Sequence, residues 1–226
     1  MLQANKIMGR RIVTIDGPAG AGKTTVSKAL ARELGWVYVD TGALYRAVAF
    51  EIKRRQINWE DSARLERFLA CLDLDFVMDG RDPVLTSSGR DISAYIRTNE
   101  ISMLASATSA IPQVRRALLG IQKSIAGERD AVFEGRDMGT AVFPNASYKF
   151  FLTADVNVRA RRRFEESNAS GISFGKILED MIKRDADDTQ RPVSPLKQAP
   201  DALLIDATAL DVSQVVEKMK SIIKKV

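Results

Sequence analysis

The sequence predicts an α/β fold, a parallel sheet flanked by helices, interrupted by a β-rich insertion. Three observations carry that expectation. The β-branched run "RIVTIDG" enters a glycine-rich stretch, "GPAGAGKT", which passes straight into a segment of helical spacing. A second short apolar run, "WVYVD", leads into another helical segment, so strand, loop, helix, strand and helix follow one another as in a parallel sheet. In the middle of the chain the apolar period changes to two and then returns to helical spacing.

Taken in order, "KTTVSKALARELG" places Val26, Ala29, Leu30 and Leu34 on one face and stops at Gly35, a natural C-terminal cap. "GALYRAVAFEIKRR" keeps Leu44, Val48 and Ile52 in register. Beyond it, Leu72, Leu74, Phe76 and Met78 alternate, Asp79-Gly80 is a hairpin signal, and "SSG" ending at Gly89 reads as a second turn. A three-stranded antiparallel meander is therefore expected here. Two helices follow, one through Ile101, Leu104, Ala105 and Thr108. The other runs after Pro112 through Val114, Leu118, Ile121 and Ile125 and closes at Gly127. "DAVFEG" and "YKFFLTA" then read as buried strands, "NVRARRRFEES" and "SFGKILEDMIKRD" as helices, and "DALLIDA" as a last strand before a helix carrying Val212, Val215, Val216, Met219 and Ile223. The expected division is a core of about residues 9–57 and 130–226, with an inserted subdomain of about 58–129.

Composition narrows the function classes. The chain has 226 residues, enough for one domain or one core with an insertion, and no apolar run near the ~20 residues of a membrane helix. "MLQANKIMGRR" lacks an apolar stretch of signal-peptide length. A single cysteine, Cys71, permits no disulfide framework, so a reducing cytoplasm is the expected compartment; in "FLACLDL" that cysteine is expected to be buried. The formal charge of +5 suits anionic partners. The complete absence of histidine removes the commonest general base, His-assisted nucleophiles and histidine metal sites.

Residues 17–24, G-P-A-G-A-G-K-T, satisfy the phosphate-loop pattern in its required context between a strand and a helix. Glycines let backbone N–H groups approach phosphate oxygens, and the helix N-terminus adds a favourable dipole. The stretch Gly17, Pro18, Ala19, Gly20, Ala21, Gly22, Lys23, Thr24 and Thr25 is thus expected to hold the phosphates of ATP or GTP. Lys23 would reach the β- and γ-phosphates, and the Thr24 hydroxyl would sit on Mg²⁺.

The arginines fall in short motifs. "DTGALYR" places Thr41, Tyr45 and Arg46 after the second strand, and "EGRDMG" places Arg136 and Asp137 after a later one, both at the strand ends where α/β proteins bind ligands. "RDADDTQR" sets Arg184, Asp188 and Arg191 at i, i+4 and i+7, and Arg159, Arg162 and Arg163 share a helical face. Alone, each motif also reads as a solvated helix, a tight turn or local Arg–Asp pairs. Facing a phosphate loop, they suggest a site for two phosphorylated ligands. A phosphate acceptor is already anionic and needs no general base, which agrees with a chain that lacks histidine.

"IDGPAGAGKTT", "DTGALYR", "EGRDMGTAVFP", "FFLTADVNVRARRR" and "KRDADDTQR" together resemble the bacterial cytidylate kinases over nearly the whole chain. The resemblance implies a P-loop kinase core with an inserted, β-rich nucleotide-monophosphate-binding subdomain and a helical lid at about residues 157–172. It implies transfer of the γ-phosphoryl of ATP, with Mg²⁺, to CMP or dCMP by a monomer, with neither nucleic acid nor membrane as partner. It places Lys23, Arg136, Arg184 and Arg191 in catalysis. The resemblance puts Thr41, Tyr45 and Arg46 near the acceptor, with Arg136, Arg184 and Arg191 around its phosphate; it implies that Ser106, Arg115 and Asp137 read the cytosine and that Asp188 contacts the ribose. Arg159, Arg162 and Arg163 match a lid over ATP. Asp187 stands where many members have a basic or different residue, and Thr24 where some have glycine. Two alternatives are a kinase for UMP or AMP and, in another class, a P-loop NTPase serving as a nucleic-acid-binding or regulatory module, although no nucleic-acid signature is present.

Overall fold

The computed structural model describes residues 10–79, 82–166 and 172–223. Along the chain it forms β1 (Ile12–Asp16), α1 (Lys23–Leu34), β2 (Val37–Asp40), α2 (Thr41–Arg54), α3 (Ser62–Ala70), β3 (Leu74–Asp79), β4 (Asp82–Ser87) and β5 (Arg90–Asp91). There follow α4 (Asn99–Ser109), α5 (Pro112–Glu128), β6 (Ala131–Gly135), β7 (Tyr148–Thr153), α6 (Val156–Glu166), α7 (Phe174–Gln190), β8 (Leu203–Asp206) and α8 (Val212–Ile223). A short 3₁₀ turn occupies Tyr95–Arg97, and a π-helical turn occupies Met138–Val142.

Five strands form one parallel sheet in the order β2-β6-β1-β7-β8. The strands of its centre read as unbroken apolar runs because helices cover both faces: Val13, Ile15 and Leu152 pack with Leu30 of α1 and Met219 of α8, while Val39 and Phe133 pack with Leu119 and Ile125 of α5. The chain leaves β1 for β2 two places away, returns to insert β6 between them, and then moves to the other side of β1. Ligand crevices in such sheets open beyond the strand ends at this reversal of winding, which is where residues 17–22 lie.

The expected meander is present as a separate antiparallel sheet, β3-β4-β5. Asp79 pairs with Asp82; the turn read at Asp79-Gly80 lies partly outside the described residues, as does the stretch 167–171 of the expected lid. Leu44, Val48 and Ile52 of α2 share one apolar cluster with Leu65 and Phe68 of α3, Leu74, Leu85, and Val114 and Leu118 of α5. α2 thus serves both the central sheet and the insertion.

Two local expectations are corrected. Cys71 is exposed, because "FLACLDL" divides: Phe68 and Leu69 close α3 on its buried face, Cys71 caps the helix outward, and Leu74 begins β3. Gly127 does not close α5, which runs one residue further to Glu128 before Arg129 turns extended. By contrast Gly35 caps α1 at φ 69°, as the sequence suggests.

Candidate active site

Residues 17–22 leave β1 in a backbone whose positive φ at Gly17, Gly20 and Gly22 favours glycine. Gly17, at φ 149°, passes so close to the Leu152 carbonyl that a Cβ would lie 1.9 Å from its oxygen. Gly20, at φ 74°, packs under Arg159 and Met181, leaving 2.8 Å between a Cβ and the Met181 methyl. α1 begins at Lys23, so its first N–H groups point into the concavity of the loop. The Lys23 amine is buried and donates to the Pro18 carbonyl at 2.7 Å. Burial, followed by the charge of Arg136, lowers its pKa to about 7; Arg184 pushes the same way, while Glu134 and Asp16 oppose.

Beside the loop stand two carboxylates that the motif reading passed over. Glu134 of β6 accepts from the Thr24 hydroxyl at 2.9 Å and from the Tyr38 hydroxyl. Burial and then Asp40 raise its pKa, and its second oxygen, Oε2, is buried with no hydrogen-bond partner among the described residues. Asp16, the last residue of β1, accepts from the backbone N–H groups of Met138 at 2.9 Å and Gly139 at 2.8 Å. Both acids end apolar strand runs, "TID" and "AVFE", which is the signal in the sequence. What it lacked was the strand order that sets β6 beside β1.

The residues expected on the acceptor side come from several elements. Thr41 is buried and donates to the Glu134 carbonyl at 2.6 Å, so it ties α2 to β6. Asp40 caps α2 through the Ala43 N–H and pairs with Arg46 at 2.8 Å. The Arg46 Nε is buried without a partner among the described residues. Tyr45, its pKa raised to about 12 by burial, lies with its ring 5.7 Å from the Arg115 guanidinium. Arg115, from α5, pairs with Asp137 and donates to the Ser109 carbonyl. Ser106 sits one turn earlier on α4 with an exposed side chain, on the rim rather than in this cluster.

Arg136 pairs with Asp188 of α7 at 2.9 Å. Arg184 is solvent-exposed, and its pKa is lowered by the packed atoms around its guanidinium and then by Arg136; the charges of Arg46 and Arg163 also reach it. Arg191 does not complete a helical face with Arg184 and Asp188, as its spacing suggested. α7 ends at Gln190, and Pro192 disfavours helix at the residue before it, so Arg191 turns extended. It still reaches the site, 3.6 Å from Asp137 and 4.0 Å from Asp188, with its Nε bonded to the Ser194 carbonyl.

The basic group of α6 is dispersed. Arg159 is buried, donating to the Ala154 and Ala19 carbonyls and pairing with Asp185 of α7 at 2.8 Å, so it braces the loop from below. Arg162 donates to the Ala207 carbonyl beside β8, and Arg163 pairs with Glu166 at 3.5 Å.

The backbone N–H groups of the loop and arginines from α2, α5, α7 and the segment after β6 thus gather at the same ends of the strands. Among the described residues no group of three or more acidic, histidine or cysteine side chains forms a metal cage, and no helix is long and apolar enough to cross a membrane. In structural comparison, shikimate kinase from Bacteroides thetaiotaomicron aligns with a TM-score of 0.51 at 15% identity, covering 95% of this chain and 98% of its own, a likeness of fold. The chain is 44% identical over 216 residues to the cytidylate kinase of Citrifermentans bemidjiense, 95% of this chain and 93% of the relative. It is 43% identical to that of Geobacter sulfurreducens over 221 residues, 96% and 95% of the two. The family model described as cytidylate kinase matches residues 13–225, and the chain belongs to that family.

Proposed function

We propose that the protein transfers the γ-phosphoryl group of ATP to CMP or dCMP, giving ADP and the corresponding diphosphate. The observation that carries this reading is the gathering of Arg115, Arg136 and Arg191 on Asp137 and Asp188 beyond the strand ends, with the charges of Arg136 and Arg184 also bearing on the Lys23 amine of the phosphate loop. That many cations around one point repel one another unless an anion lies between them. A phosphoryl group in transit between two anionic oxygens is such an anion, and its transfer requires alignment and charge cancellation rather than a base.

In this reading the N–H groups of residues 17–24 bind the ATP phosphates, and Lys23 exchanges its bond to the Pro18 carbonyl for phosphate oxygens. Arg136, Arg184 and Arg191 hold the acceptor phosphate, with Arg46 adding its free Nε. The Arg115–Asp137 pair beside Tyr45 offers a donor and an acceptor for a pyrimidine edge; Ser106 would join it from the rim, and Asp188 would turn to the ribose. Each of these acids already has an arginine partner, so acceptor binding exchanges ion pairs instead of desolvating bare charges.

Mg²⁺ fits the loop: the Thr24 hydroxyl and the unpartnered Oε2 of Glu134 form a hard, oxygen-only donor set. Those two residues would hold it, directly or through water, and it would supply charge neutralisation between the ATP phosphates. The protein would act as a monomer in the cytoplasm. The insertion and the α6 region would close on the ligands, with Arg162 and Arg163 moving more than Arg159, to exclude water from the reaction.

Measuring ADP formation from MgATP with CMP, dCMP, UMP, AMP, GMP or no acceptor tests this function. Strong stimulation by CMP and dCMP alone is expected. Stimulation by UMP or AMP in their place would reassign the acceptor, and hydrolysis indifferent to every monophosphate would overturn the reading.

A further inference from the structure

We infer that Asp16 is a positioning residue, the clasp that holds the segment bearing Arg136 and Asp137 against the phosphate loop; the inference deepens the kinase reading and rests on it. β1 and β6 pair in register up to Asp16 and Gly135. Past Gly135 the sheet offers nothing, and the chain turns through residues 136 and 137 into the π-helical turn Met138–Val142. That turn begins with N–H groups that need acceptors, and its own preceding residue, Asp137, provides none from its side chain. Asp137 faces Arg115 instead. The cap comes from the other strand: one Asp16 oxygen takes the Met138 N–H and the other the Gly139 N–H. Both bonds are buried, and Asp16 itself is only 4% exposed.

This arrangement joins two halves of the cleft through one side chain. The backbone of Asp16 leads directly into Gly17, while its carboxylate fixes the turn that follows Arg136 and Asp137. Gly139 has no room to move inward, since a Cβ there would lie 3.0 Å from the Thr14 hydroxyl and 3.4 Å from the Asp16 carboxylate. The charges facing Asp16 are Lys23 of α1 and Asp137 of the turn itself. Lys149 of β7 lies along Gly139 with its amine held by Asp201. A carboxylate can accept both N–H groups, whereas an amide of the same shape must turn its NH₂ toward one of them.

The test is Asp16→Asn, assayed with each substrate varied. We expect kcat/KM for CMP to fall roughly tenfold to a hundredfold, as for loss of buried hydrogen bonds to a charged group, with the KM for ATP within about twofold of the unmodified enzyme. Burial raises the Asp16 pKa to about 6, so the ratio of unmodified to variant activity should shrink toward one as pH falls from 8 to 5; taking the ratio cancels the titration of the substrates. A purely structural role would lower thermal stability and affect both substrates alike, at every pH.

If the variant does not fold, the amide resonances of Met138 and Gly139 in the unmodified protein supply the answer. They should titrate together with a midpoint near 6. Met138 and Gly139 amides that exchange with solvent as fast as exposed ones would overturn the inference, as would a variant with unchanged CMP kinetics. An unmodified protein that fails to phosphorylate CMP would instead remove the kinase reading and leave the clasp to be judged by the protection of those two amides.

Discussion

The phosphate loop is drawn from one uninterrupted stretch, residues 17–25, whereas the wall opposite takes Arg46 from α2, Arg115 from α5, Arg136 from the segment after β6 and Arg184 from α7. The two walls also differ in what they present. The loop offers backbone N–H groups whose direction is set by glycine dihedrals and by the start of α1, a geometry no side-chain rotation can spoil. The opposite wall offers long side chains, of which Arg46, Arg115 and Arg136 are held by ion pairs with Asp40, Asp137 and Asp188. A common donor needs one fixed cradle; a chosen acceptor needs groups that exchange partners when the right molecule arrives. On the proposed reading, tight binding on the first wall and discrimination on the second follow from that division.

The strongest way to break this contrast is at the residue both walls share. Lys23→Ala should reduce kcat by at least about a thousandfold with every acceptor, because it removes a buried charge at the transferring group. Steady-state kinetics with saturating ATP and CMP would show it. Arg184→Ala acts on one wall only, so kcat/KM for CMP should drop by about a hundredfold while ATP affinity changes little; an equal loss for both substrates would merge the two walls.

A smaller and more selective effect is expected at the Arg115–Asp137 pair, proposed to read the base. Arg115→Ala leaves Asp137 with only its longer contact to Arg191 and should narrow the preference for CMP over UMP by about tenfold. Competition between the two acceptors measures that ratio directly, and an unchanged ratio would take Arg115 out of base recognition.

The smallest signal concerns protons. With its pKa lowered to about 7, Lys23 is largely uncharged at pH 8 in the free protein, and phosphate oxygens beside it restore the charge. ATP binding at pH 8 should then take up a fraction of a proton, seen as a dependence of the binding enthalpy on the ionisation enthalpy of the buffer. The same depression means that folded Lys23 binds fewer protons than the unfolded chain between pH 7 and 10.5, so this group makes the fold more stable as pH rises through that window.

How much of this could be read beforehand follows the same contrast. The loop, the parallel core and the antiparallel insertion were legible because each depends on neighbours in sequence: glycine spacing, a period of two or of helical turns, and a cap at Gly35. Arg136, Arg184 and Asp188 were legible as residues, through short motifs, yet their pairing was not, since it links positions 52 apart. Asp16 and Glu134 carried only the mark of an acid at the end of an apolar run. Their meaning depends on β6 lying between β1 and β2, which no local pattern reveals. Arg159 misled for a related reason: helical spacing placed it with Arg162 and Arg163, but Asp185 and the Ala19 carbonyl draw it inward. Cys71 and Arg191 turned on the ends of helices, where a single residue decides whether a side chain faces the core or the solvent.

The most direct test of a cleft in which one wall hands its phosphoryl group to the other is to follow that group. A single turnover of ATP labelled at the γ-phosphate, with CMP present and the reaction quenched in its first phase, should place the label in CDP and almost none in inorganic phosphate. Label released as inorganic phosphate, at a rate CMP does not alter, would contradict the account.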